Sequence, residues 1–165
     1  MDCINEEWKE VAVDWLGQMG FSGRTAVGGT VQIGTVDGKP GIGPMEMLLL
    51  GMAGCAGMDI ISILEKKRQG LQNFQIQVRG KRADVYPRVY TEIEVKYLLW
   101  GTCIDAKAVE HAIQLSDEKY CSASIMLGAT AKITSSYQIL DPGQATGMNW
   151  KGDVSKHDEL DATFS

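Results

Sequence analysis

Four cysteines, Cys3, Cys55, Cys103 and Cys121, are the side chains of this 165-residue sequence most able to do chemistry. A thiolate attacks electrophiles and peroxides, whereas a thiol does not, so local surroundings decide which of them matter. Cys55 lies in Gly51-Met52-Ala53-Gly54-Cys55-Ala56-Gly57, where small residues let a ligand or another backbone approach closely. The plain alternative is that Cys55 acts as a small buried apolar residue. Cys121 lies in Lys119-Tyr120-Cys121-Ser122-Ala123-Ser124, at the end of one helical pattern and the start of a new turn. Backbone N–H groups opening that turn would point at its sulfur and favour thiolate, and Ser122 and Ser124 could donate hydrogen bonds. Cys3, near the terminus, and Cys103, after Gly101-Thr102, read as incidental.

Other chemistries lack their residues. No C-x-x-C pair is present, and His111 and His157 lie far apart, so no metal site is expected. His111 falls opposite most of a helix's apolar face and reads as solvated. No local signature marks a Cys–His hydrolase. The early glycines lack the strand-to-helix setting of a phosphate-binding loop.

The elements that must position the thiols follow from periodicity. Val11, Val13 and Trp15 alternate with Ala12 and Asp14 as in a strand, and Phe21, Val31 and Ile33 mark further short strands between glycine turns. The stretch 37–44 is a Gly/Pro-rich loop. A long helix begins near Pro44, with Glu46 in its first turn, and runs to Lys67, with Gly70 as its stop. Its residues are apolar almost all round up to Asp59. Such a helix is buried on every side, which in a chain this small suggests wrapping by sheet, including sheet from a second subunit. Two strands of period two follow, built on Phe74, Ile76 and Val78 and on Val89 to Tyr97, with a turn at Pro87. Asp105 caps an amphipathic helix whose packed face is Val109, Ala112, Ile113 and Ser116. A short turn follows Cys121, and a last strand covers 131–140, packing through Ile133, Tyr137 and Ile139. The order is α+β rather than a doubly wound alternation. One domain, residues 1–140, is expected, with a polar, loosely ordered tail over 141–165 that Trp150 could pin in part.

Bulk composition narrows the function. The chain is 44% hydrophobic and 22% charged, enough for one proper core without a disulfide scaffold. A net charge of −5 argues against a nucleic-acid partner. Lys66, Lys67 and Arg68 read as cations complementing a helix C-terminus. The uncharged apolar stretch between Glu46 and Asp59 is shorter than the ~20 residues a membrane crossing needs. The first residues show no secretory signal, and the expected location is the cytoplasm, where thiols stay reduced apart from transient catalytic disulfides.

Two segments carry a family resemblance. Gly43 to Cys55, with Pro44 and Glu46 close together and the cysteine about three turns later, resembles the central helix of the OsmC/Ohr family. Lys119 to Ser124 resembles its second cysteine motif. The likeness spans roughly residues 8 to 140, and is nearest to a branch of small OsmC-like proteins with similar Gly-Pro-x-Glu, Gly-Cys-x-x-x-Asp and Lys-Tyr-Cys-Ser segments. The resemblance implies an intertwined homodimer of antiparallel sheets wrapped around buried central helices. It also implies a thiol peroxidase for oxidative stress defence, with no bound cofactor. Cys55 would be the peroxidatic thiol and Cys121 the resolving thiol, with reduction by an external dithiol such as a lipoyl group on a partner protein. An arginine held by a glutamate would favour the thiolate. Arg24 is the candidate, with Lys39 as rival, and Glu46 is the candidate carboxylate. Met47, Leu48, Met52 and Met58 would give an apolar wall suited to organic hydroperoxides.

Two departures stand out. Met45 separates Pro44 from Glu46, which turns the carboxylate by about 100° around the helix, and Ser122 replaces the usual proline. A redox-sensing or ligand-binding dimer without turnover is the rival reading. A structural dimer whose cysteines never pair is a further one. Asp59, one helical turn beyond Cys55, shares its face. It could raise the thiol pKa, hold an activating cation, or be satisfied by backbone or a basic neighbour.

Overall fold

Residues 8–145 and 162–164 are described by the structure, a computed structural model. The chain divides between Leu48 and Leu49 into two units. In the first, β1 (Val11–Gly17), β2 (Gly20–Thr25) and β3 (Thr30–Ile33) form an antiparallel sheet, with Val13 opposite Gly23 and Gly23 opposite Val31. The loop expected over 37–44 holds half of a small hairpin, β4 (Thr35–Val36) with β5 (Lys39–Pro40). Gly34 is required there: its φ is +69°, and a Cβ would stand 2.1 Å from the Met19 carbonyl oxygen.

Helix α1 (Pro44–Lys66) begins at the expected proline. The Glu46 carboxylate accepts the Gly43 N–H at 2.7 Å, as a residue three positions into a helix does in a capping box. The stop differs from the sequence expectation. Arg68, not Gly70, takes the left-handed conformation, with φ +55°. The Gln69 N–H then reaches the Leu64 carbonyl. Gly70 opens the next strand, where a Cβ would lie 2.5 Å from the Thr102 carbonyl oxygen.

The second unit is a four-stranded sheet in the order β6 (Gly70–Arg82), β7 (Tyr90–Thr102), β8 (Lys132–Leu140), β9 (Ala162–Phe164). Three of its strands put Phe74, Ile76 and Val78, then Ile93, Val95, Tyr97 and Leu99, then Ile133, Ser135, Tyr137 and Ile139 on one face. β6–β7 and β8–β9 are antiparallel, whereas β7–β8 is parallel. The helical segment between β7 and β8 returns the chain to the end at which β7 began, as a parallel pair requires. Of the polar tail, 141–145 is held by the Trp100 indole N–H on the Gln144 carbonyl at 2.7 Å, and 162–164 pairs with β8. The rest, with Trp150, lies outside the described residues, as does Cys3.

α1 packs on this face through Met52, Ala56, Gly57, Ile60 and Leu64. A Cβ on Gly57 would meet Ile76 at 2.8 Å, so glycine lets helix and sheet approach closely. Burial on every side is not what a single chain provides. Leu50 is 56% exposed, Met58 78% and Ile61 37%. A sheet covers one face of a helix, and among the described residues these three stay exposed on the other.

Candidate active site

Helix α2 (Ala106–Leu115) is capped by Asp105, whose carboxylate accepts the Lys107 N–H, and buries Val109, Ala112 and Ile113 as the periodicity requires. It runs into a single π-helical turn, Ser116–Tyr120, closed by the Cys121 N–H on the Ser116 carbonyl at 2.8 Å. Inserted π turns are rare and re-aim the side chains they carry. Here the turn buries Ser116, leaves Asp117 half-buried against Ser135, and delivers Cys121 as the N-cap of α3 (Ser122–Leu127).

Cys121 is fully buried, and Cys55 is half-buried on α1. Residues 66 positions apart in sequence are brought together: the Cys55 and Cys121 sulfurs and an Asp59 carboxylate oxygen all lie within 4.8 Å of one another. The Cys121 sulfur accepts from the Ser124 hydroxyl at 3.1 Å and the Ser124 N–H at 3.4 Å. Its own S–H reaches the Met52 carbonyl at 3.8 Å. The expected backbone donor at the turn is therefore present. It does not decide the protonation state. Burial pushes the Cys121 thiol above its ordinary pKa, Ser124 pulls it back in part, and Cys55 adds to the rise.

Asp59 accepts from the Ser116 hydroxyl at 3.3 Å, so its partner is a serine rather than backbone or a base. The Ser135 hydroxyl donates to Asp117 at 2.7 Å. Tyr97, bonded to Ser135, is driven above the phenol range by burial and next by Asp117. Ser116, Ser124 and Ser135 are all buried and all hydrogen-bonded, as buried polar groups must be.

The other sequence candidates belong to the N-terminal unit. Arg24 forms an exposed ion pair with Asp14 at 3.0 Å, not with Glu46, and Glu46 holds the helix start. Lys39 is exposed in β5. Of the expected apolar wall, Met52 is packed in the core, Met58 faces outward, and Met47 lines an apolar groove on the N-terminal sheet with Val13, Val31 and Ile33. Cys103 is exposed, with φ +57°. Sequence reading missed Ser116 as the partner of Asp59, and Ser135, Asp117 and Tyr97 as the polar groups linked to it. Ser116 was legible only as a packed helix position.

Comparison with known proteins bears on family and fold. A family model described as OsmC-like protein matches residues 36–136. Protein YhfA of Escherichia coli K12 is 33% identical over 131 residues, which cover 79% of this chain and 98% of that protein. The crystal structure of a hypothetical protein from Aquifex aeolicus VF5 superposes with a TM-score of 0.74 at 36% identity, covering 82% of this chain and 98% of that one. The organic hydroperoxide resistance protein OhrB of Bacillus subtilis superposes at 0.57 with 14% identity, covering 80% and 98%, a likeness of fold alone.

Proposed function

We propose that this chain, a member of the OsmC-like protein family, is a cytoplasmic thiol peroxidase that reduces organic hydroperoxides as part of oxidative stress defence. The observation that carries the reading is the approach of Cys55 and Cys121 to within 4.8 Å at one place in the core. Their unequal burial supports the division of labour. Cys55 is reachable by a peroxide, whereas Cys121 is enclosed and suited to meeting only an oxidised Cys55. The Cys55 thiolate attacks the terminal peroxide oxygen. The O–O bond breaks, the alkoxide leaves and takes up a proton as the alcohol, and Cys55 becomes a sulfenic acid. Cys121 then attacks the Cys55 sulfur, the disulfide forms and water leaves. An external dithiol, such as a lipoyl group on a partner protein, exchanges with the disulfide and is itself oxidised. The working unit in this reading is a homodimer.

A second reading has its own observation. The guanidinium and carboxylate that the family resemblance would pair each have another partner, Asp14 for Arg24 and the Gly43 N–H for Glu46. That favours a redox-sensing or ligand-binding dimer that is oxidised once without efficient cycling. Consumption of tert-butyl hydroperoxide with dihydrolipoamide separates the two. Wild type is expected to turn over many times, and Cys55→Ser not at all. Cys121→Ser is expected to stop after one equivalent, with a sulfenic acid at Cys55 that dimedone traps. A single equivalent consumed by wild type would replace the peroxidase with the sensor.

A further inference from the structure

The same dithiol carries a third donor that the peroxide chemistry does not use. Cys55 and Asp59 are one turn apart on α1 and share a face, and Cys121 closes on them from the end of the π turn. Their sulfur and oxygen atoms lie within 4.8 Å of one another. Tetrahedral zinc, with bonds of about 2.3 Å to sulfur and 2.0–2.2 Å to carboxylate oxygen, sets its ligands roughly 3.5–3.8 Å apart. The three donors therefore need to close by at most about 1.3 Å to meet on one ion. Among the described residues this is the one cluster of three such donors. No spacing motif marks it, because its ligands are split between a helical i, i+4 pair and a cysteine 66 residues after the first.

We propose that the reduced protein binds one thiophilic divalent cation, zinc or a zinc-like ion, through Cys55 Sγ, Cys121 Sγ and the Asp59 carboxylate. Two thiolates select a soft or borderline ion over magnesium or calcium. Three protein ligands leave the fourth position to water. The supporting shell is in place: Ser124 donates twice to the Cys121 sulfur, and Ser116 donates to the Asp59 oxygen. Such partners fix the orientation of ligating groups. Two thiolates and a carboxylate give the bound dication a net charge of −1, so the site does not strand a cation in the core. The assignment shares with the proposed function only the reduced Cys55–Cys121 pair. A disulfide between them removes two of the three ligands, so oxidised protein should not bind.

The test is titration of the full-length, reductant-free dithiol protein with cobalt(II) under argon, followed by competition with zinc. Expected are one cobalt per chain, a thiolate-to-cobalt charge-transfer band in the near ultraviolet, the visible bands of tetrahedral cobalt, and their loss on adding zinc. Loss of an outer-shell partner costs roughly 10–100-fold in affinity, so Asp59→Asn, which loses a direct ligand, should bind at least ~10-fold more weakly. The disulfide form of wild type, which needs no substitution to fold, should show no band. Absence of the band in reduced wild type, equal affinity in Asp59→Asn, or binding to the disulfide form would each overturn the site. Hydroperoxide turnover by wild type in chelator-treated buffer is measured alongside. Turnover without a cobalt band sinks the metal site alone, and a cobalt band without turnover sinks the peroxidase alone.

Discussion

Cys121 sits in an environment that works in two directions. Burial opposes negative charge on its sulfur, two donors from Ser124 stabilise it, and Cys55 opposes it further; the net effect sets its pKa above the ordinary thiol value of about 8.5. Near neutral pH this residue is therefore mostly thiol. The resolving step proposed for it needs its thiolate, and should accelerate as pH rises through the ordinary thiol range and beyond. Ser124→Ala removes the hydroxyl donor at 3.1 Å. Its resolution profile should move to still higher pH, while the first oxidation of Cys55 changes little. Rapid-mixing measurement of disulfide formation after one equivalent of hydroperoxide, across a pH series, reads both. A resolution rate flat from neutral to alkaline pH, or a Ser124→Ala profile moved towards acid, would show that burial does not govern this thiol.

The π turn is the element that assembles the site, because it carries Ser116 to Asp59 and Asp117 to Ser135 and ends at Cys121. It also half-buries a carboxylate, that of Asp117. Burial raises the Asp117 pKa, the Ser135 hydroxyl lowers it by less, and Glu118 adds to the rise. A folded-state pKa above the unfolded value of about 3.9 means that the folded protein holds this proton more tightly. The resulting stability is full below the unfolded pKa and is lost as pH rises through the folded one. Asp117→Asn cannot ionise and keeps an acceptor for Ser135. It should gain stability relative to wild type as pH is raised from about 3 towards neutrality. Urea unfolding across that range checks the sign, and a difference that stays constant or reverses would refute it. Such an element was not legible in the sequence. The strands and α2 were, because alternation and the Val109-Ala112-Ile113 spacing report burial directly. One inserted residue in a helix leaves no residue-type signature. The stop at Arg68 was obscured in the same way, since a left-handed arginine competed with a glycine two residues later whose constraint lay in the sheet. Cys55 and Cys121 were legible as candidates from small neighbours, a turn and their family likeness. That Asp59 stands beside both required the tertiary fold.

At the scale of the molecule, the open face of α1 decides what the working unit is. Leu50, Gly54, Met58 and Ile61 fall four, four and three residues apart, along one stripe of the helix. Leu50, Met58 and Ile61 are exposed, and a Cβ on Gly54 would meet nothing within 4 Å. Burying one such large apolar side chain stabilises by about 1.5–3 kcal/mol, so the stripe is costly to leave in water. A glycine in its middle lets another backbone come close. A second copy presenting the same stripe would cover it symmetrically, as homodimer interfaces do, and would enclose Cys55, the next residue along the helix from Gly54. Such a dimer would account for the all-round apolar character of this segment, with one face for its own sheet and the other for a second copy. Sedimentation equilibrium of wild type should return twice the 18.0 kDa chain mass. Met58→Glu places a charge where the stripe would be desolvated and should shift the equilibrium to the single-chain mass. Gly54→Leu, which adds bulk without charge, should weaken association in the same direction. Wild type at single-chain mass at micromolar concentration would mean that the stripe is covered by something other than a second copy. An unchanged dimer in both variants would move the interface elsewhere on the molecule.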